Sequence, residues 1–219
     1  MTTIRDHTRI RRWAVGLWAV AFLVLMGGVG HAAATAASCA ATKQKAAGKD
    51  AASQLGCYAK ATQGGVAVDA DCLQKAKGKF ADAFAKAEAA GGCLLPGYPA
   101  TIIETMVHNV VADVVSGTPP GTFLKCAAAK QKTAGKRAAS RLGCYANATK
   151  GGVTVDSGCL SKAKSKFNAT FTKEEEKTSG GCATFGAAAS IGGRVDTFVA
   201  NVMSATPVVT GLNAIRSVT

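Results

Sequence analysis

The sequence predicts an all-α protein, with two tandem disulfide-stapled antiparallel helical hairpins that are each covered by a third helix. Three observations predict this fold: the stretch 39–93 is repeated as 126–182, both copies are rich in alanine and lysine, and each copy contains four cysteines. Self-similarity this dense indicates duplication of one structural unit. The cysteines correspond between the copies, three at an offset of 87 and the fourth after a two-residue insertion near 176–179: Cys39 with Cys126, Cys57 with Cys144, Cys72 with Cys159 and Cys93 with Cys182.

A leader of a different composition precedes the repeats. Residues 1–36 contain four arginines, then an uncharged apolar run at 13–30, then small residues. This is the layout of a secretory signal peptide, and we expect cleavage after Ala32, Ala34 or Ala36. The alternative is an uncleaved signal anchor, because the apolar run approaches the length of a membrane span. Contact with a membrane would then be made through the leader alone.

The first helix of each hairpin is predicted from composition and spacing. Alanine, lysine and glutamine dominate between Cys39 and Cys57, and no proline interrupts them. These residue types have high helix propensity. Small and apolar residues such as Ala51 and Leu55 form a stripe on one side, and Lys45 and Lys49 fall on the other. The sequence therefore predicts an amphipathic helix suited to close packing.

The second helix follows a glycine break. Gly64-Gly65, and Gly151-Gly152 in the second copy, end the first helix, and Asp69 and Asp156 are placed to cap the next one. Apolar residues then recur at spacings of three and four, as in a buried helix face. Gly91-Gly92 predict the end of this helix.

The disulfide pairing is predicted by the hairpin. Two helices joined by a short loop run antiparallel, so cysteines at the loop end and cysteines at the open end become neighbours. Of the three connectivities that four cysteines allow, one fits without crossing. It joins Cys57 to Cys72 and Cys39 to Cys93 and, by analogy, Cys144 to Cys159 and Cys126 to Cys182. Disulfides persist in oxidising compartments, so we expect export to the periplasm or the extracellular space.

A third helix in each copy completes the predicted modules. Branched apolar residues recur with helical spacing at 101–116, and a weaker echo stands at 195–204. The predicted organisation is a signal peptide at 1–36, a four-cysteine module at 37–117, a linker at 118–123, a second module at 124–205 and a tail at 206–219. Each module is small enough to need its disulfides for stability.

The repeated motifs resemble those of one protein class. The patterns C-x3-K-x-K-x-A-G-K, L-G-C-Y-A, V-D-x-x-C-L-x-K-A-K-x-K-F and G-G-C, as they stand here, resemble uncharacterised secreted bacterial proteins built from four-cysteine, lysine- and alanine-rich helical repeats. The resemblance covers nearly the whole chain after the leader. It implies a helical, exported protein and no established activity. Other disulfide-stapled helical hairpins are similar more loosely, because their cysteine spacing differs.

The sequence favours a protein that is not an enzyme and holds no metal or cofactor. The single histidine outside the leader is His108, whose counterpart is Asp196. All cysteines are expected in pairs, which leaves no free thiol nucleophile. Their spacing lacks the C-x2-C knuckles of zinc sites and the C-x-x-C-H motif of covalent haem. The acidic cluster 174–176 occurs in one copy only and is expected to be a solvated helix end.

Lysines provide the strongest functional signal. The chain carries a formal net charge of +13, and about +10 remains without the leader. A basic face present in both copies suits an anionic polymer such as an acidic polysaccharide, lipopolysaccharide or extracellular DNA. The candidate anion-binding residues are Lys43, Lys45, Lys49, Lys75, Lys77, Lys79 and Lys86, which recur as Lys130, Lys132, Lys136, Lys162, Lys164, Lys166 and Lys173.

Three functions remain open from the sequence. The lysines are also explained as solubilising residues on alanine-rich helices, since stacking aromatics and arginine forks are missing. The first interpretation is therefore a non-enzymatic structural or interaction protein of the cell envelope or extracellular space, with other envelope proteins as a further class of partner. The alternatives are a binding module for anionic polymers and a carrier that holds a small apolar ligand between the third helix and the hairpin.

Overall fold

The computed structural model describes residues 36–91, 93, 99–177 and 182–208. This part of the chain forms α-helices and no strand, so the all-α prediction is confirmed. The helices are α1 (Ala36–Gly64), α2 (Ala70–Ala89), α3 (Ala100–Ser116), α4 (Leu124–Gly151), α5 (Ser157–Lys177) and α6 (Ala188–Ala205). The predicted leader up to residue 35 and the tail from residue 209 lie outside the described residues. Within them, no helix combines the length and apolar character that a membrane span needs.

The turns between the paired helices follow from local sequence. Gly65 and Gly152 both adopt φ +63°, in the left-handed region that favours glycine at a helix end. Beyond the turn, the carboxylate of Asp69 accepts a hydrogen bond from the backbone N–H of Asp71 at 2.9 Å. Asp156 accepts the equivalent bond from Gly158 at 2.8 Å. Both aspartates therefore act at the helix starts where the sequence places them.

All eight cysteines are joined in the connectivity that the antiparallel hairpin predicts. The loop ends are closed by Cys57–Cys72 and Cys144–Cys159, and the open ends by Cys39–Cys93 and Cys126–Cys182. The Cα atoms of each pair are 5.6–6.0 Å apart, as disulfide geometry requires. Four disulfides indicate a non-reducing, exported environment.

The two hairpins pack together through α1 and α4, the longest helices. Gly48 of α1 faces Ala139 of α4, and Gly135 of α4 faces Ala52 of α1, so the helices run antiparallel and cross at small residues. A Cβ placed on Gly135 would lie 2.9 Å from the Cα of Ala52, and one on Gly48 would lie 3.0 Å from the Cα of Ala139. The contacts are reciprocal because each pair repeats the other at an offset of 87.

The helices form two layers. Helices α2, α1, α4 and α5 lie side by side in one layer, and α3 and α6 pack against each other and against one face of α1 and α4. The core between the layers is filled by fully buried residues, among them Leu55, Val107 and Val114 from the first copy and Leu142 and Val195 from the second. Side chains occupy the space between hairpin and third helix, where the carrier interpretation places a ligand.

Candidate anion-binding face

One side of the α1–α4 pair is not covered by α3 and α6, and we call this surface the open face. On α1 it consists of residues that recur at spacings of three and four, including Lys45, Lys49 and Lys60, which are all exposed. On α4 the equivalent side includes Lys132 and Lys136, which are also exposed. Lysine stems cover alanine surface well while their ammonium groups stay in water. The open face is therefore basic, with alanine side chains between and beneath the lysines.

Three grooves follow the open face. The first groove lies between α1 and α2, has a volume of about 310 Å³ and is lined by Lys49 and Lys79. The second groove lies between α4 and α5, has a volume of about 570 Å³ and is lined by Lys136 and Lys166. The seam groove runs between α1 and α4, with a volume of about 320 Å³. Its lysines are Lys60, Lys125 and Lys132.

The first and second grooves are structural counterparts. Each residue of α1 and α2 that lines the first groove has its counterpart, 87 positions later, lining the second. Ala52 and Ala139, at the helix crossing, line both grooves. The two grooves are therefore adjacent, on either side of the crossing. Among the described residues that line the three grooves, Asp50 is the one carboxylate, and it is 2% exposed.

The candidate lysines separate into three groups, of which the third is the buried pair Lys43 and Lys130. Five of them line grooves, and Lys45 lies on the exposed side of α1. Six others are exposed on α2 and α5 without lining a groove: Lys75, Lys77, Lys86, Lys162, Lys164 and Lys173. The groove lysines that sequence reasoning missed are Lys60 and Lys125, because each lacks a lysine counterpart in the other copy. A site built by both copies does not need each of its lysines to recur.

Lys43 and Lys130 do not belong to the basic surface, and their assignment as anion-binding residues is corrected. Both are buried, at 5% and 1% exposure. The Nζ of Lys43 lies 2.9 Å from Glu88 and 4.4 Å from the centre of the Phe84 ring. Lys130 lies 2.6 Å from its carboxylate partner and also donates to the carbonyl oxygen of Thr184. These two lysines connect the helices of each hairpin. Their ammonium groups are already paired with carboxylates and are not accessible to a ligand.

Glu175 is the partner of Lys130, which corrects the expectation of a solvated acidic cluster. Its carboxylate accepts a hydrogen bond from the Lys130 ammonium and another from the backbone N–H of Gly186, the latter at 3.1 Å. The residue is 7% exposed. The sequence contained a signal for this pair, because Glu88 and Glu175 stand 87 positions apart, as Lys43 and Lys130 do. Two ion pairs repeated at one offset indicate a structural contact.

The polar groups beneath the two main grooves have opposite charge. Under the first groove, Asp50 accepts both of its hydrogen bonds from Gln54, and burial raises its pKa to about 6. At the equivalent position under the second groove, Arg137 pairs with Asp196 at 2.8 Å, and Arg141 lies 3.3 Å from the same carboxylate. Two guanidinium groups share one carboxylate there. The second groove therefore has a positive excess where the first has a carboxyl group.

Groups for covalent or metal chemistry are not assembled on the open face. His108 is exposed on α3, in the other layer. In the described part of the chain, no three histidine, cysteine, aspartate or glutamate side chains come together as ligands of a metal ion would. The chemistry that the open face offers is charge, from ammonium groups, and a shallow apolar floor.

Comparison with known proteins gives no relative. The chain matches no protein-family model, no curated protein and no solved structure. Functional conclusions therefore depend on the geometry and charge of the open face.

Proposed function

We propose that this protein is an exported, non-enzymatic interaction protein of the periplasm or extracellular space, and that its open face binds an anionic polysaccharide. One observation carries the proposal. Seven lysines are found among the described residues that line the three adjacent grooves, and the single carboxylate among those residues is buried and hydrogen-bonded. Exposed lysines that only solubilise helices are normally interspersed with exposed acids. Among the described residues, the exposed acidic side chains lie outside the three grooves.

The form of the site favours a polymer that is recognised through charge. A row of ammonium groups along two antiparallel helices raises the local concentration of a polyanion and displaces its counterions. The phenylalanines nearest the grooves, Phe80 and Phe167, are buried at 3% and 2% exposure and offer no stacking surface for bases. Acidic sugars need no such stacking, so they suit this face better than single-stranded nucleic acid does.

Retention on immobilised heparin tests the proposal. The wild-type protein should bind at 50 mM salt and elute as salt is raised, because the contacts are between exposed charges. Replacing Lys49, Lys132 and Lys136 by glutamine should move elution to clearly lower salt. These three residues line different grooves, so their joint removal weakens the whole face.

A charge-matched control separates a basic face from net charge. The Lys77→Gln, Lys164→Gln, Lys177→Gln variant loses the same number of lysines from exposed positions that line none of the three grooves. Its elution should stay close to that of the wild type. Equal shifts for the two triple variants would show that only the overall charge matters and would contradict the proposal. Failure of the wild type to bind heparin at low salt would contradict it as well.

A further inference from the structure

The second groove differs from the other two in size and in the chemistry of its walls. Its volume of about 570 Å³ lies well within the range of small-molecule sites, whereas the first groove has about 310 Å³. The apolar floor consists mainly of four alanines, since Phe167 is almost fully buried. Hydroxyl groups of Thr133, Ser140 and Thr170 stand with the two lysines among the lining residues. An apolar floor with a few polar groups is typical of a ligand site.

Charge complementarity defines the occupant. Lys136 and Lys166 line the groove, and the Arg137 guanidinium lines it from below, 4.7 Å from the centre of the Phe167 ring. The described lining residues of this groove include no carboxylate. A neutral apolar molecule would leave the ammonium groups of Lys136 and Lys166 uncompensated, and an inorganic anion would leave the alanine floor in water. A molecule with both an apolar chain and an anionic head satisfies both parts of the groove.

We propose that the second groove binds the alkyl chain of a single-chain anionic amphiphile, whose phosphate headgroup pairs with the ammonium groups of Lys136 and Lys166. The inference rests on the proposed function and deepens it, because it makes an acylated anion the preferred ligand of the open face. The first groove is the weaker site. It is smaller, and the buried carboxyl group of Asp50 lines it where Arg137 lines the second.

Isothermal titration with dodecyl phosphate, below its micelle concentration and at low salt, tests the inference. We expect one strong site per chain. Octyl phosphate should bind at least tenfold more weakly, because each buried methylene contributes roughly fourfold to affinity. Inorganic phosphate lacks the chain and dodecyl maltoside lacks the charge, so both should bind more weakly still.

The duplicated chain provides a matched pair of variants. Ser140 and Ser53 are equivalent exposed residues that line the second and the first groove. Ser140→Phe should fill the second groove and weaken dodecyl phosphate at least tenfold, and Ser53→Phe should leave its affinity within about twofold. Both variants should keep the far-UV circular dichroism and the urea unfolding midpoint of the wild type, which shows that they are folded.

Two outcomes would overturn the inference while leaving polysaccharide binding intact. In one, dodecyl and octyl phosphate bind equally and the protein is still retained on heparin, so charge alone is recognised. In the other, Ser53→Phe and Ser140→Phe weaken dodecyl phosphate equally, so the second groove has no special role. A protein that binds neither heparin nor dodecyl phosphate contradicts both proposals.

Discussion

At the scale of single residues, the two copies differ in the charge of one buried position beneath the open face. Asp50 in the first copy corresponds to Arg137 in the second, and His108 corresponds to Asp196. Arg137 finds its counter-charge in Asp196, whereas Asp50 depends on the amide of Gln54. A neutral donor compensates the desolvation of a carboxylate only in part, so the ionised Asp50 lowers the free energy of unfolding at neutral pH.

Asp50→Asn should change the pH dependence of stability. Burial raises the folded-state pKa of Asp50 from 3.8 to about 6, so the folded protein holds a proton that the unfolded chain has lost. Stability should therefore fall as pH rises from about 4 to about 6 and remain lower above that. The asparagine variant removes this loss and should be more stable at pH 7.5 by about 3 kcal/mol. Urea unfolding at pH 4.5 and 7.5, with disulfides intact, measures the difference.

Asp82→Asn is the control for this experiment. Asp82 is an exposed carboxylate on α2, so its replacement should leave the decline between the two pH values unchanged. A decline that persists in Asp50→Asn would show that another group causes it.

The buried lysines provide a second test at this scale. Glu175→Gln leaves the Lys130 ammonium, whose side chain is 0% exposed, without its counter-charge. Breaking one partner of a buried ion pair costs about 3 kcal/mol or more. Glu88→Gln in the first copy also leaves a buried ammonium, that of Lys43, but it should cost less than Glu175→Gln, since the Glu88 side chain is 50% exposed and that pair is partly solvated. Chemical unfolding midpoints compare the two variants, and equal losses would contradict the burial assigned to Lys130.

At the scale of helices, the elements that are fixed by local chemistry are those that the sequence predicts well. Helix ends at Gly65 and Gly152, caps at Asp69 and Asp156, and the four disulfides all follow from signals within one hairpin. The antiparallel packing of α1 on α4 was not predictable in the same way. It joins residues that are far apart in the sequence, such as Gly48 with Ala139 and Ala52 with Gly135, and alanine stripes on several faces of these helices look equally suited to packing.

The candidate site shows the same division. Exposed lysines of α1 and α4 could be assigned from the helical wheel, because charged residues avoid the packed face. Lys43 and Lys130 could not, because their burial depends on a phenylalanine and a glutamate from the neighbouring helix. Charge patterning within one helix contains no information about the helix that packs against it.

Gly135→Ala tests the α1–α4 crossing. The added Cβ would lie 2.9 Å from the Cα of Ala52 and 3.3 Å from the Cβ of Leu55, so the helices must separate. Overpacking of this kind costs about 1–3 kcal/mol. Gly143→Ala on the same helix meets no atom within 4 Å and should instead stabilise by about 0.5–1 kcal/mol, as alanine replaces a helical glycine. Thermal unfolding of both variants checks the contrast; a stabilised Gly135→Ala would exclude the crossing as described.

At the scale of the whole molecule, duplication places two equivalent hairpins on either side of a helix crossing. The disulfides close both ends of each hairpin, and α3 and α6 cover one face of the central helices. The opposite face keeps the lysines of both copies together on α1 and α4. A single copy would present one groove, whereas the duplicated chain presents two main grooves and the seam between them. The length of this basic surface thus depends on the presence of both hairpins.

The salt dependence of polyanion affinity tests the central claim most directly. A fluorescent heparin oligosaccharide should bind with an affinity whose logarithm falls linearly with the logarithm of salt concentration, and each lysine engaged contributes roughly 0.7–0.9 to the slope. The Lys49→Gln, Lys132→Gln, Lys136→Gln variant should therefore lose roughly two units of slope, while the Lys77→Gln, Lys164→Gln, Lys177→Gln variant keeps nearly the wild-type slope. Identical slopes for the two variants would show that the open face is not where the polyanion binds.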